Sequence, residues 1–186
     1  MSEAARKRGA ALLAQLQAGD AAAFRELYEQ QRARLYTFLL RLTRDEQLAR
    51  DLAQETWLRL AANAARLEPG TQPGAWLFTV ARNLFVSSRR FRLFDGERLR
   101  AFALLEPPRL PEPLEAAAGN ELERRLARAL SSLPLAQREV LLLVSGEGFS
   151  LAEVATMLDV SEVSVRKRLS RGRAALRDLL RQQESP

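Results

Sequence analysis

The segment Ser150–Arg173, SLAEVATMLDVSEVSVRKRLSRGR, constrains the fold more than any other stretch of the chain. Ser150 with Glu153 three residues on forms a capping box, in which hydroxyl and carboxylate satisfy free N–H groups at a helix start. A short helix to Leu158 follows, then a tight turn at Asp159–Val160–Ser161, then a long helix from Glu162 to about Arg181. Two helices joined this way make a helix-turn-helix. Val154, Leu158, Val160, Val165 and Leu169 supply its shared core. Ala155 is small where the helices approach, and Asp159 tolerates a left-handed turn conformation. With Val165 inward, Leu169, Gly172 and Leu176 follow in a narrow arc. Arg166, Arg173 and Arg177 then form one exposed stripe, and Lys167 with Arg171 another. Residues 161–181 hold seven basic side chains against two acidic ones. Such a helix can enter the DNA major groove, read base edges near its start and hold phosphates along its flanks. The plainer alternative is a solvated arginine face; the cap and the turn favour DNA.

The remaining sequence is also helical in character. Leu, Ala and Arg make up 92 of 186 residues, Ile is absent and Val occurs eight times. Strong helix formers and few β-branched residues predict an all-α protein. Four of the eight prolines fall at 107–113 and mark a linker. The expected organisation is two small helical domains, 1–92 and 120–186, joined by a Pro-containing linker at 93–119. The net charges of the first domain, linker and second domain are +6, −2 and +2.

In the first domain, Asp20 is a candidate N-cap for a helix to about Leu42, with Leu27, Leu35, Phe38, Leu39 and Leu42 as core. A second helix is expected from about Asp45 to Ala65. LEPGTQPG (67–74) reads as a loop, and a third helix follows from about Ala75 to Phe91 with Leu77, Val80, Ala81 and Leu84 on one face. In the second domain, Asn120 and Glu123 look like a capping pair for a helix to about Ser132. Pro134 suits the first turn of the next helix, to about Ser145.

Two further constellations carry chemistry. In ARDLAQETWLRL (49–60), Ala49, Ala53, Trp57 and Leu60 share a face; Asp51, Gln54, Glu55 and Leu58 lie opposite. An acidic pair one turn apart is ordinarily a solvated face, but an outward leucine among these groups hints at a protein contact surface. PGAWLFTVARNLFVSSRRFR (73–92) interleaves Trp76, Phe78 and Phe85 with Arg82, Asn83, Arg89, Arg90 and Arg92. Rings that stack on unpaired bases and arginines that neutralise phosphate suit single-stranded nucleic acid. At least two of these rings are expected to be core.

Composition excludes much else. The chain has no histidine and no cysteine, which removes disulfides, thiol nucleophiles, Cys/His zinc sites and histidine triads. A metal could sit only on Asp/Glu oxygens. A net charge of +6 makes nucleic acid or an anionic membrane a plausible partner. The longest aliphatic run, Val140–Val144, is far short of a membrane span, and Ala10–Ala18 is broken by Gln15 and Gln17, unlike a signal-peptide core. A cytoplasmic location is expected.

Taken together and in order, these segments resemble a bacterial RNA polymerase sigma factor of the extracytoplasmic-function (ECF) type. The resemblance spans roughly residues 18–181. It rests on GDAAAFRELYEQQRARLYTFLLRLTRD (19–45), ARDLAQETWLRL (49–60), AWLFTVARNLFVSSRR (75–90), LSSLPLAQREVLLLVSGEGFSLAEVATML (130–158) and VSEVSVRKRLSRGRAALRDLL (160–180). It implies a promoter-specificity subunit that is not an enzyme and needs no cofactor or metal. Its implied partners are core RNA polymerase, promoter DNA (duplex at −35, single-stranded at −10) and an anti-sigma factor, with no membrane insertion of its own. The resemblance assigns core binding to Asp51, Gln54, Glu55 and Leu58. It assigns −10 recognition and melting to Trp76, Arg82, Asn83, Arg89 and Arg90, with flipped non-template bases held in pockets. It assigns −35 recognition to Arg166, Lys167, Ser170, Arg171 and Arg173.

The chain departs from the family pattern at three places. Ser87 stands where an Asp is frequent, loop 67–74 lacks an F-R-G type sequence, and Ser170 stands where some members carry an aromatic. Two rivals remain on the residues alone. A stand-alone helix-turn-helix regulator would need no Asp51–Glu55 surface. A DNA recombinase would need a strand-rich catalytic domain, for which the first 92 residues are too helical.

Overall fold

The computed structural model describes the backbone of residues 3–94 and 121–183, and the side chains of 8–89 and 121–183. Among the described residues every regular element is helical. The N-terminal unit holds α1 (Glu3–Gln17), α2 (Ala21–Thr43), α3 (Glu46–Asn63), a 3₁₀ turn (Ala64–Arg66) and α4 (Pro73–Phe94). The C-terminal unit holds α5 (Glu121–Ser132), α6 (Leu135–Leu141), a π-helical turn (Leu142–Gly146), α7 (Leu151–Leu158) and α8 (Glu162–Gln182).

Local chemistry sets the element starts. The Asp20 carboxylate accepts from the N–H groups of Ala22 and Ala23 and opens α2; Asp45 accepts from Leu48 and opens α3. These caps satisfy donors that have no partner inside the helix. α2 ends at Arg44, a non-glycine residue at φ 63°, whose N–H returns to the Leu40 carbonyl. α4 starts two residues earlier than the sequence suggests, at Pro73. Proline fits there because its missing N–H falls among the first-turn donors that no intrahelical acceptor serves. The helix expected to run to Ser145 is regular only to Leu141 and then widens into the π turn. Asn120, the expected cap of α5, lies outside the described residues, as does the linker 95–119.

α1 has no counterpart in the sequence reading. It packs on α2 and on the 3₁₀ turn. The Gln17 amide donates to the Leu67 carbonyl at 2.6 Å, so α1 ties down the start of the loop before α4. Leu13 and Leu16 enter the core with Leu27, Leu35, Phe38, Leu39, Leu42, Leu60 and Leu77. Val80 and Leu84, expected beside Leu77, are only partly buried, as is Val160 in the helix-turn-helix. Phe78 and Phe85 are buried at 1% and 4% exposure, which makes both part of the core and unavailable for base stacking.

The two units pack directly on one another. Phe78 stands edge-on between Phe38 and Phe149, with ring centroids 5.3 and 5.4 Å apart. Each such pair adds roughly 0.5–1.5 kcal/mol beyond its area burial. The apolar cluster runs through both units, and polar contacts cross the seam as well. The buried Arg138 donates to the carbonyls of Leu42 at 3.1 Å, Ser131 at 3.1 Å and Leu133 at 3.0 Å. It thus serves carbonyls at the ends of α2 and α5, which lack intrahelical donors. Burial pushes its guanidinium pKa down, helped by the nearby Arg44 and Arg89. Arg44 donates to Ser131 O at 2.9 Å. Arg34 reaches Glu147 at both carboxylate (3.0 Å) and carbonyl (2.9 Å).

Candidate nucleic-acid interface

α8 begins where the Ser161 hydroxyl accepts from the Ser164 N–H. Its inner arc is Val165, Leu169 and Gly172, all buried. A Cβ at Gly172 would lie 2.9 Å from Leu141 Cδ1 and 3.3 Å from Gln137 Cβ, so glycine permits the close packing of α8 on α6. With that arc fixed inward, Arg166, Lys167, Ser170, Arg171 and Arg173 are all exposed. Arg173 donates to the Ser145 hydroxyl at 3.2 Å. Arg168, on the flank, stands 3.8 Å from Glu139.

The preceding turn matches its chemistry. Both halves of the capping box are formed between Ser150 and Glu153. Asp159 takes φ 53°, the left-handed conformation its short polar side chain tolerates. The sequence reading missed Val163, which is 60% exposed on the first turn of α8. It shares the stripe of Arg166, Lys167 and Ser170 at spacings of three, four and seven residues. The signal was visible: an apolar residue at the start of a basic helix, off the inward arc.

On α4 the candidates divide. Asn83 and Arg89 are exposed, and the Arg89 guanidinium lies 5.9 Å above the Phe85 ring. Trp76 is partly buried against the core. The Arg90 side chain lies outside the described residues. Arg82 is engaged: its Nε donates to Glu139 at 3.1 Å and its Nη1 to Asn83 at 3.3 Å. Glu139, 3% exposed on α6, was no sequence candidate.

On α3, Asp51 and Leu58 are exposed, Leu58 at 46%. Gln54 and Glu55 are half-buried beside them. Trp57 and Leu60 face inward, with Trp57 edge-on to Tyr28 at 4.9 Å. The Asp51 carboxylate accepts from Gln47, and Glu55 pairs with Arg59 at 2.7 Å. Each pair lies on the surface of one helix, where such contacts hold side chains weakly. Among the described residues no group of Asp and Glu is placed to hold a metal ion, and no helix is long and apolar enough to cross a membrane.

This architecture, a helical unit bearing the α3 and α4 faces followed by a helix-turn-helix unit, is that of a sigma factor. Residues 27–92 match the sigma-70 region 2 family and residues 123–176 the sigma-70 region 4 family. The chain is 36% identical over 149 residues to the ECF RNA polymerase sigma factor EcfG of Rhodopseudomonas palustris, covering 78% of each. It is 38% identical over 146 residues to the probable RNA polymerase sigma factor RfaY of Xanthomonas campestris, covering 77% of this chain and 36% of that one. It therefore spans about a third of that relative's length. The solved structure of the sigma factor RpoE with the anti-sigma factor NepR, from Bartonella quintana, is similar at TM-score 0.68 and 28% identity. That match covers 85% of this chain and 96% of the other. The chain belongs to the ECF sigma factor family.

Proposed function

We propose that the chain is a promoter-specificity subunit that joins core RNA polymerase, reads −10 and −35 elements and helps open the duplex, with all bond-making left to the polymerase. The domain roles follow the two family regions: residues 1–92 for core binding and the −10 element, 93–119 as linker, and 120–186 for the −35 element. The observation that carries the reading is the outward face of α3. Leu58 is exposed between Asp51, Gln54 and Glu55, a surface with no use in a regulator that binds duplex DNA alone.

α8 would lay Arg166, Lys167, Ser170, Arg171 and Arg173 in the −35 major groove. α4 would offer Asn83, Arg82, Arg89 and Arg90 to the −10 strand, with Trp76 at its start. Unstacking a base costs a few kcal/mol, which bound pockets and phosphate contacts must offset. The RpoE structure, a sigma factor held by an anti-sigma factor, supports a partner of that kind here; a cytoplasmic place of work goes with the proposed role at the polymerase. Pull-down with purified core polymerase and run-off transcription test the proposal. Tight binding to duplex DNA without initiation in the presence of core would overturn it.

A further inference from the structure

We infer that α1 is a positioning element for −10 recognition: through Gln17 and Gly9 it holds the loop 67–74 at both ends, and with it the start of α4. The inference rests on the reading that α4 serves the −10 strand. The loop has a definite shape. Across Glu68, Pro69, Gly70 and Thr71, the Thr71 N–H returns to the Glu68 carbonyl at 3.1 Å and Gly70 takes φ 85°. Proline second and a left-handed glycine third are what a type II β-turn asks for. Glu68, Pro69 and Gly70 are exposed, while Leu67 and Pro73 on either side are buried. The turn therefore projects from two fixed points, and the second of them opens α4.

α1 supplies a hold on each side. At the first end, the Gln17 amide donates to the Leu67 carbonyl at 2.6 Å. At the second end, Gly9 lies against the Gln72 amide: a Cβ there would fall 2.1 Å from Gln72 Oε1 and 3.0 Å from its Cδ. The Gln72 carbonyl in turn accepts from the Trp76 N–H at 2.9 Å, so the same residue touches α1 and fixes the backbone of a candidate −10 residue. The two holds are eight residues apart on α1, about 12 Å along its axis. Leu13 and Leu16, between them, are buried in the core, so the helix cannot slide under the loop without unpacking. Helix formation does not ask for glycine at position 9, since alanine is the better helix former; room for Gln72 accounts for it. Hydrogen bonds to a base edge weaken steeply outside a narrow range of length and angle. A turn and a Trp76 that shift together therefore change which base is preferred, and not only how tightly the strand is held.

Gln17→Met keeps the stem and removes the donor, and Gln17→Lys restores a donor. Gly9→Ala favours α1 as a helix while displacing the Gln72 amide, so it separates positioning from stability. The full-length chain is assembled with core polymerase. Run-off transcription is then measured on a promoter selected from a randomised library and on single-base replacements at its −10 and −35 elements. The readout is the ratio of initiation between the selected base and each replacement. For Gln17→Met and Gly9→Ala the expected result is a fall of about threefold to tenfold in that ratio at one or more −10 positions, part of the penalty that a mismatched base carries. The −35 ratios stay those of the unaltered chain, and Gln17→Lys regains the −10 ratio. Loss of initiation in equal proportion on every template overturns the inference, because a weakened fold alone gives that result. Unchanged −10 ratios in both variants, with helicity intact by circular dichroism, overturn it as well. A Gln17→Lys chain as indiscriminate as Gln17→Met overturns the role given to the Leu67 bond. An unaltered chain whose initiation ignores the −10 bases overturns the underlying reading and the inference with it, and does so before any variant is compared.

Discussion

Val163 is the residue whose exposure says most about selectivity. A branched aliphatic side chain on the first turn of a recognition helix suits the C5-methyl of thymine, the one apolar group in the major-groove code. In a −35 site selected from a randomised library, replacing the contacted thymine by uracil should weaken binding about three- to tenfold. The same replacement should make little difference to Val163→Ala, whereas equal losses in both proteins would separate Val163 from base reading. At Gly172 the issue is space. Leu141 and Gln137 close over the position, so Gly172→Val should cost about 1–3 kcal/mol from overpacking. A lower midpoint in urea at unchanged slope is the expected reading.

At the level of elements, the helix-turn-helix was the most legible part of the sequence, because its determinants are local. Ser150 and Glu153 lie three residues apart and form both bonds of the box. Ser150→Ala should therefore cost about 1 kcal/mol, measurable by thermal unfolding. α1 was missed because its leucines are spaced among alanines and glutamines, and its partners, Leu67 and the 3₁₀ turn, lie some fifty residues on. The interleaved aromatics and arginines of α4 fitted two readings equally. Only burial separated Phe78 and Phe85, which are core, from the exposed Asn83 and Arg89. For α3 the pattern gave the face directly. Asp51→Arg with Glu55→Arg should abolish core-polymerase binding in pull-down while circular dichroism stays that of a helical protein. Retained affinity would remove that face from the interface.

Across the whole molecule, what the sequence hid is the contact between the two units. Arg34 and Glu147 are 113 residues apart, and no periodicity reports a pair at that distance. Arg138 is one of 27 arginines, nearly all of which read as surface. Its burial comes from three carbonyl groups that two helix ends leave unpaired. Arg138→Met keeps much of the stem but takes the guanidinium from the Leu42 and Leu133 carbonyls, each costing about 1–3 kcal/mol if water does not reach it, while Ser131 O keeps its bond from Arg44. The expected outcome is a clear loss of stability together with weakened contact between the units, seen as faster amide exchange in α2 and α5. A midpoint equal to that of the unaltered chain would mean that water replaces the guanidinium freely.

The π turn at Leu142–Gly146 bears on how this chain could vary. A π turn accommodates one residue more than an α-helical turn, and a helix rotates about 100° per residue. Deleting one codon there would let α6 run on as a plain α-helix. It would also swing the following residues, Glu147 and Phe149 among them, by about that angle from Arg34 and Phe78. The coupling between the two halves is therefore exposed to insertion and deletion at this one turn, which also carries the buried Leu142 and Leu143.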